Sequence, residues 1–258
     1  MRAAGFVSAI CFAAFMPGAH AEEPELGCSA AKLMPAMAER ALSGNTIALS
    51  DGRRVRLAGV VVPQSPAFEA TARDSLQALV GDAPVFLGDA GAVPDRHGRI
   101  VAQVFLDDGR RWVEGELVRT GLLRVFTLRD ERSCAGALLA AEAAARAVRA
   151  GLWADPEFAI RQADDSSLSG AGGQYQIVEG EVLSTGRTAA AAYLNFGRNW
   201  STDFTVTVNM ADAKLLESEG LEIDALAGRR IRVRGWLSVK DGPAMRVDHP
   251  EQIEVLGR

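Results

Sequence analysis

The sequence predicts an α+β chain, mainly β, divided into two small domains. Three observations carry that expectation. Short β-branched runs bounded by turn signals recur along the chain, and three segments of the first half have helical spacing or helix-forming composition. One polar, Gly- and Ser-rich stretch, residues 162–173 (QADDSSLSGAGG), has no apolar period at all. It is read as an exposed linker between a domain at 22–161 and a second at 174–258.

The chain opens with Arg2, an apolar stretch over residues 3–17, Ala-His-Ala at 19–21, and then Glu22 and Glu23. This is the pattern of a secretory signal peptide over residues 1–21, so a periplasmic or secreted mature form is expected, beginning near Glu22. The apolar run is shorter than the roughly 20 residues a bilayer-spanning helix needs, and no membrane span is expected in the mature form. Cys11 leaves with the signal. Cys28 and Cys134 remain, an even number in an oxidising compartment, and a disulfide between them is expected, with two buried free thiols as the alternative. With three His, one inside the signal, and no paired-Cys spacing, a zinc site has nothing to be built from, and no cofactor is expected. The formal net charge of -5 speaks against a whole surface devoted to nonspecific nucleic-acid binding but allows a local basic face.

Taken in order, residues 46–49 and 54–62 are strand runs separated by Ser50-Asp51-Gly52, a hairpin signal. Residues 68–80 place Phe68, Ala72, Leu76, Leu79 and Val80 on one face of a helix. Strands are expected at 84–87 and at 100–106, the latter ending in Asp107-Asp108-Gly109, a second turn signal. Residues 112–119 form a short helix closed by Gly121, and 135–150 a helix of Ala, Leu, Arg and Glu that stops at Gly151. The first half thus totals five strands, four of them with bounds, and three helices. Beyond the linker, strands are expected at 176–183, 192–196, 204–209, 230–237 and 252–256, with a helical piece at 211–216, a spacing that suits a small closed barrel.

Two segments carry a resemblance. SGNTIALSDGRRVRLAGVVVPQ (43–64) and DRHGRIVAQVFLDDGRRWVEGELVRTGLLRV (95–125), with Ala-Gly-Leu-Trp at 150–153, are similar to the opening strands, the D-x-x-G-R strand with its following helix, and the last helix end of the thermonuclease (staphylococcal nuclease-like) family. The resemblance implies a five-stranded barrel of the oligonucleotide-binding (OB) type with three helices, and calcium-dependent phosphodiester cleavage. That chemistry needs oxygen ligands for the cation, a carboxylate to activate water, and guanidinium groups on the phosphorus centre.

Residue by residue, the family's metal-binding aspartates correspond to Asn45 and Val61, with Ser43 at a further acidic position, so the calcium site is expected to be degenerate. The general-base glutamate corresponds to Gln64, an amide. Both phosphate-contacting arginines persist as Arg56 and Arg99, which would hold a phosphate or, alternatively, form ordinary ion pairs with Asp51 or Asp95. Relocated acids, Asp51, Glu69, Asp74 and Asp95, are the route by which a metal site would be rebuilt.

The second domain resembles a bacterial OB-fold module. Tyr193, Phe196, Trp200 and Phe204 would offer stacking faces beside a basic strand of Arg229, Arg230, Arg232 and Arg234, or else form the barrel core. Residues 174–258 hold ten Lys and Arg against twelve Asp and Glu, which is not the footprint of a dedicated nucleic-acid binder. The expected function is an exported thermonuclease-like protein that has lost catalysis and acts in binding or assembly, with nucleic acid, another phosphate-bearing polyanion or an envelope protein as partner. Two alternatives stand beside it: a metal-dependent phosphodiesterase using the relocated acids, with calcium as its cofactor, and a purely structural interaction module.

Overall fold

The computed structural model of the chain describes residues 27–91, 93–199 and 201–257; the expected signal segment and Trp200 lie outside them. The first unit runs β1 (Leu33–Ser43), β2 (Thr46–Leu49), β3 (Arg54–Leu57), β4 (Val60–Val61), α1 (Pro66–Val80), β5 (Pro84–Gly88), β6 (Ile100–Leu106), β7 (Arg111–Trp112), α2 (Val113–Arg119), β8 (Arg124–Val125) and α3 (Ala135–Ala147). β1 pairs with β2 and β5, β2 with β3, β5 with β6, and a parallel pairing of β3 with β6 closes a five-stranded ring. The OB-type barrel with three helices is therefore present.

The strand without sequence bounds is β1. Its residues, LMPAMAERALS, are mostly helix formers, yet they are held extended because the first half bonds to β5 and the second half to β2. Tertiary pairing overrides local propensity here. The expected strand at 54–62 is broken by Gly59, whose φ of 72° turns the chain out of the barrel into β4. Gly121 and Gly151 meet where α2 and α3 end: a Cβ on Gly121 would lie 2.1 Å from the Ala150 carbonyl oxygen. Only glycines allow that approach, and the Leu152 N–H donates to the Gly121 carbonyl at 2.9 Å across it. Cys28 and Cys134 are bonded, Cα atoms 5.3 Å apart, which ties the segment ahead of β1 to the residue just before α3.

The second unit runs β9 (Arg161–Gln162), β10 (Tyr175–Glu181), β11 (Ser184–Arg187), β12 (Ala191–Asn195), β13 (Thr205–Asn209), α4 (Met210–Ser218), β14 (Arg230–Ser238), β15 (Ala244–Val247) and β16 (Ile253–Val255). β10 and β11 are successive parts of one bent run, the first pairing with β14 and the second with β12. With β12 on β13, β13 parallel to β15 and β15 on β14, the ring closes. Both barrels thus share one topology: third and fifth strands parallel, and a helix between the third and fourth. The stretch 162–173, expected as an exposed linker, is mostly exposed but is also tied to this barrel. β9 pairs in parallel with β10, Asp165 caps the turn Ser166–Gly170, and Leu168 is buried in the second core. Leu168, Ala171 and one capped turn anchor a segment whose composition reads as flexible.

The barrels are joined along residues 124–132. Arg124 Nη1 donates to the Tyr175 carbonyl at 3.1 Å, and the Tyr175 hydroxyl donates to the Val125 carbonyl. Thr127 Oγ1 lies 2.7 Å from His249 Nε2. Arg129 pairs with Asp212 at 2.6 Å, and Arg132 with Glu219 at 2.7 Å and Glu251 at 3.0 Å. Beneath this seam Leu152, Trp153, Phe158, Tyr175 and Ile177 form a shared apolar cluster. At its centre Arg234 of β14 reaches Glu142 of α3 at 2.9 Å, with the two side chains 1% and 0% exposed. Burial opposes ionisation of Glu142, but Arg234, the Val125 N–H, Arg146 and Arg124 outweigh it and hold the carboxyl below the usual range.

Breaking a buried pair strands a charge, so Glu142→Gln and Arg234→Met are each expected to cost roughly 3–5 kcal/mol, and the double substitution less than the sum. Denaturant titration of the cycle checks this; additive losses would count against the coupling.

A second buried carboxyl behaves oppositely. Glu114 of α2 is fully buried and accepts the Val104 N–H at 3.1 Å on each oxygen. Burial pushes it up from 4.5 to about 8, against the pull of its hydrogen bonds from Val104 and other backbone groups and Trp112. The folded protein keeps a proton that the unfolded chain loses above 4.5, so stability falls as pH rises through that window, by up to about 1.4 kcal/mol per pH unit, and levels off above about 8. Glu114→Gln is expected to remove that slope in stability measured from pH 4 to 9.

Candidate functional site

Arg56 projects from β3, and Arg99 stands one residue ahead of β6; the parallel pairing of these strands brings the two side by side. Asp95 lies between them. Its Oδ1 accepts the backbone N–H groups of His97 and Arg99, and its Oδ2 accepts Arg99 Nε at 2.8 Å and lies 2.7 Å from Nη2. Arg56 Nε is 3.7 Å from the same oxygen. Partial burial would raise the Asp95 carboxyl, but these donors hold it down to about 2. Arg56 Nη2 in turn grips both oxygens of Glu131, at 2.6 and 2.8 Å. The two arginines therefore already carry carboxylate partners, from Asp95 and Glu131; Asp51, the other partner considered, is bonded to Arg53 instead.

Ser43 and Asn45 form the tight turn from β1 to β2. Asn45 Oδ1 accepts the Ser43 and Thr46 hydroxyls at 3.1 and 3.3 Å, its Nδ2 donates to the Val60 carbonyl at 3.4 Å, and Val61 contributes no side-chain oxygen. A calcium ion takes six to eight oxygens at about 2.3–2.6 Å. This donor set does not fit one: the amide oxygen is committed to hydroxyls, and the adjacent carboxylate, Asp95, is spanned by Arg99. The relocated acids do not converge either. Asp51 is bonded to Arg53, Asp74 to Arg73, and Glu69 to the Gly44 N–H at 3.1 Å. Among the described residues no group of three or more His, Cys, Asp or Glu is placed to hold a metal ion.

Asn45, Arg56, Val61 and Arg99 share a cleft of about 550 Å³ whose far wall is Phe126, Leu128 and, from the second barrel, Trp236. Phe126, Tyr175 and Trp236 stack edge to face, with centroids 5.4, 5.8 and 6.1 Å apart. Gln64 is not in this cleft. Its Oε1 accepts the Tyr175 N–H at 3.0 Å and its Nε2 donates to the Gly173 carbonyl at 3.4 Å, so the side chain pins the start of β10.

With that geometry in hand, residues 54–155 match the sequence family described as staphylococcal nuclease homologue. The first barrel carries a staphylococcal nuclease-like domain. The match runs from β3 through the turn after α3; β1, β2 and the second barrel lie outside it. No curated protein matches the chain.

In the barrel that follows the nuclease-like domain, the expected basic face is not a face. Alternation along β14 points Ile231, Val233 and Leu237 into the core and turns Arg232 and Arg234 toward carboxylates. Arg232 pairs with Glu179 at 2.8 Å and Glu254 at 3.2 Å, and Arg234 with Glu142 and Glu254. Phe196 packs on Phe204 at 5.0 Å against the core, while Tyr193 lines a separate groove of about 610 Å³ with Asn195, Thr205, Thr207 and Lys240. Glu131 and Trp236, which shape the nuclease-like cleft, carry no motif; a charged loop residue and a strand aromatic acquire their roles only when α3 and the second barrel dock.

If Arg56 is an internal ion-pair partner, Arg56→Ala is expected to destabilise the protein by roughly 1.5–3 kcal/mol, as for a lost charge-assisted hydrogen bond, and Arg99→Ala, whose side chain is more exposed, by less. Thermal and denaturant unfolding of both variants checks the order.

Proposed function

We infer that this is an exported, non-hydrolytic module that works by binding and assembly rather than by cutting phosphodiester bonds. The observation that carries the reading is Arg56, held by both oxygens of Glu131. A phosphodiesterase needs that guanidinium free to meet charge developing at phosphorus, and here a phosphate would have to displace a carboxylate. Water activation has a matching deficit. Gln64 is an amide with no basicity near neutral pH, and its oxygen is taken by the Tyr175 N–H; the general-base contribution it lacks is roughly 10² to 10⁴ in rate.

Internal neutralisation of both arginines favours a protein partner in the cell envelope, and the N-terminal pattern supports a periplasmic or secreted location. A second reading, nucleic acid or another phosphate-bearing polyanion, is favoured by one observation. Trp236, 43% exposed, and Phe126 share the cleft with Arg99, which sets stacking faces near a guanidinium.

The purified mature protein is expected to hydrolyse single-stranded DNA and RNA with calcium no faster than its Arg99→Ala variant. Turnover that requires Arg99 would overturn the reading in favour of the relocated-acid phosphodiesterase. In the same samples, oligonucleotide binding that weakens steeply with salt and is lost in Trp236→Ala would select the polyanion.

A further inference from the structure

The cations left unmatched at the nuclease-like cleft are not Arg56 and Arg99. Arg54, the first residue of β3, and Arg96, in the loop ahead of β6, are both exposed, and neither has a carboxylate partner among the described residues. Both hold His97 instead. Arg54 Nη2 donates to the His97 carbonyl at 2.7 Å, and Arg96 Nε donates to His97 Nε2 at 3.1 Å. The loop that carries Arg96 is a closed turn, with the Asp95 N–H on the Arg99 carbonyl at 2.9 Å and the Gly98 N–H on the Asp95 carbonyl at 2.8 Å. The acids of the same segments are already engaged, Asp51 by Arg53 and Asp95 by Arg99. Two like charges drawn to one residue repel each other, and an anion set between them relieves that repulsion.

His97 and Arg99 line both the cleft of about 550 Å³ and an adjoining pocket of about 320 Å³ that continues to Arg54, Thr46 and Ser43. Together they make one surface with a cationic end and an apolar end. The apolar end is Phe126, Leu128 and Trp236, the last two 37% and 43% exposed. Between the ends the floor is neutral, because Arg56 is matched by Glu131 and Arg99 by Asp95, whose carboxyl stays ionised. A nucleic-acid strand carries a charge at every residue and would have to pass phosphates over those two carboxylates. A peptide gathers its negative charge at one end and sets an apolar side chain at the other.

We propose, resting on the non-hydrolytic binding reading, that this surface docks an extended acidic peptide segment of a partner protein, with carboxylates on Arg54 and Arg96 and an apolar or aromatic side chain against Trp236 and Leu128. The guanidinium fork matches the two oxygens of a carboxylate. Trp236 is already held edge to face by Phe126 and Tyr175, so little side-chain freedom is lost when a ligand covers it. Because Trp236 belongs to the second barrel and the arginines to the first, the peptide spans both and favours their docked arrangement.

The test is fluorescence anisotropy of the full mature protein, without divalent cations, against labelled end-capped hexapeptides that carry a tryptophan at one end and a pair of glutamates at the other, in both orders. Their glutamine counterparts and an oligothymidylate of equal length are the comparisons. The expected result is saturable binding of a glutamate peptide, roughly tenfold tighter than its glutamine counterpart and roughly tenfold weaker in the Arg54→Gln, Arg96→Gln double variant, since each change removes a pair of exposed ion contacts. Trp236→Ala should weaken it as well. Neither arginine is in an ion pair, so the double variant is expected to stay folded, which its melting temperature verifies. No saturable binding of any glutamate peptide, equal affinity for the glutamine peptides, binding untouched by the double variant, or tighter binding of the oligothymidylate would each overturn the proposal. Those outcomes leave the non-hydrolytic reading standing; it falls separately, by calcium-dependent turnover that requires Arg99.

Discussion

The contact on which the rest of the structure depends is the pair between Glu142 and Arg234. Each comes from a different barrel, and each is removed from water. Two buried charges are tolerable only together, so α3 and β14 hold their ions in place only when the barrels are docked. Everything beside the pair follows from that placement: Arg146 and Glu254 join it, the Val125 N–H closes on Glu142, and Tyr175 is brought against Arg124. The seam along 124–132 then adds contacts that would contribute little singly at a surface.

Docking also explains how a nuclease-like barrel presents an altered cleft. The position that resembles the general base, Gln64, is turned toward the neighbouring barrel and used as an amide, donating with one end and accepting with the other. A carboxylate could accept from Tyr175 but could not donate to Gly173. Arg56 keeps its place on β3, yet Glu131, in the loop before α3, is carried over it by the same chain segment that forms the seam.

Much of this was legible beforehand where local chemistry decides. The hairpin turn at Ser50-Asp51-Gly52, the amphipathic α1, the glycine that closes α2 and the cysteine pair all follow from residue types at fixed spacing, whereas α3 stops at Ala147, ahead of Gly151, with Arg149 taking the positive φ. β1 was not legible, because its Ala, Met and Glu content argues for a helix and only its two partners make it a strand. The role of β14 was half legible. Alternation of Arg with Ile and Val gives the strand and its core side, but whether the arginines meet solvent or carboxylates depends on Glu142, Glu179 and Glu254, which arrive from three other elements. The attachment of residues 162–173 to the second barrel was hidden for a related reason: composition averages away Leu168 and Ala171, which anchor the segment.

The disulfide has a mechanical consequence. Cys28 precedes β1 and is joined to Cys134 at the foot of α3, so the whole of β1 lies inside the covalent loop. Tension applied ahead of Cys28 bypasses that strand and passes through sulfur into α3, and from there across Glu142 to the second barrel. The longest strand of the first barrel, bonded along each half to a single neighbour, is thereby shielded from being peeled away from its free end.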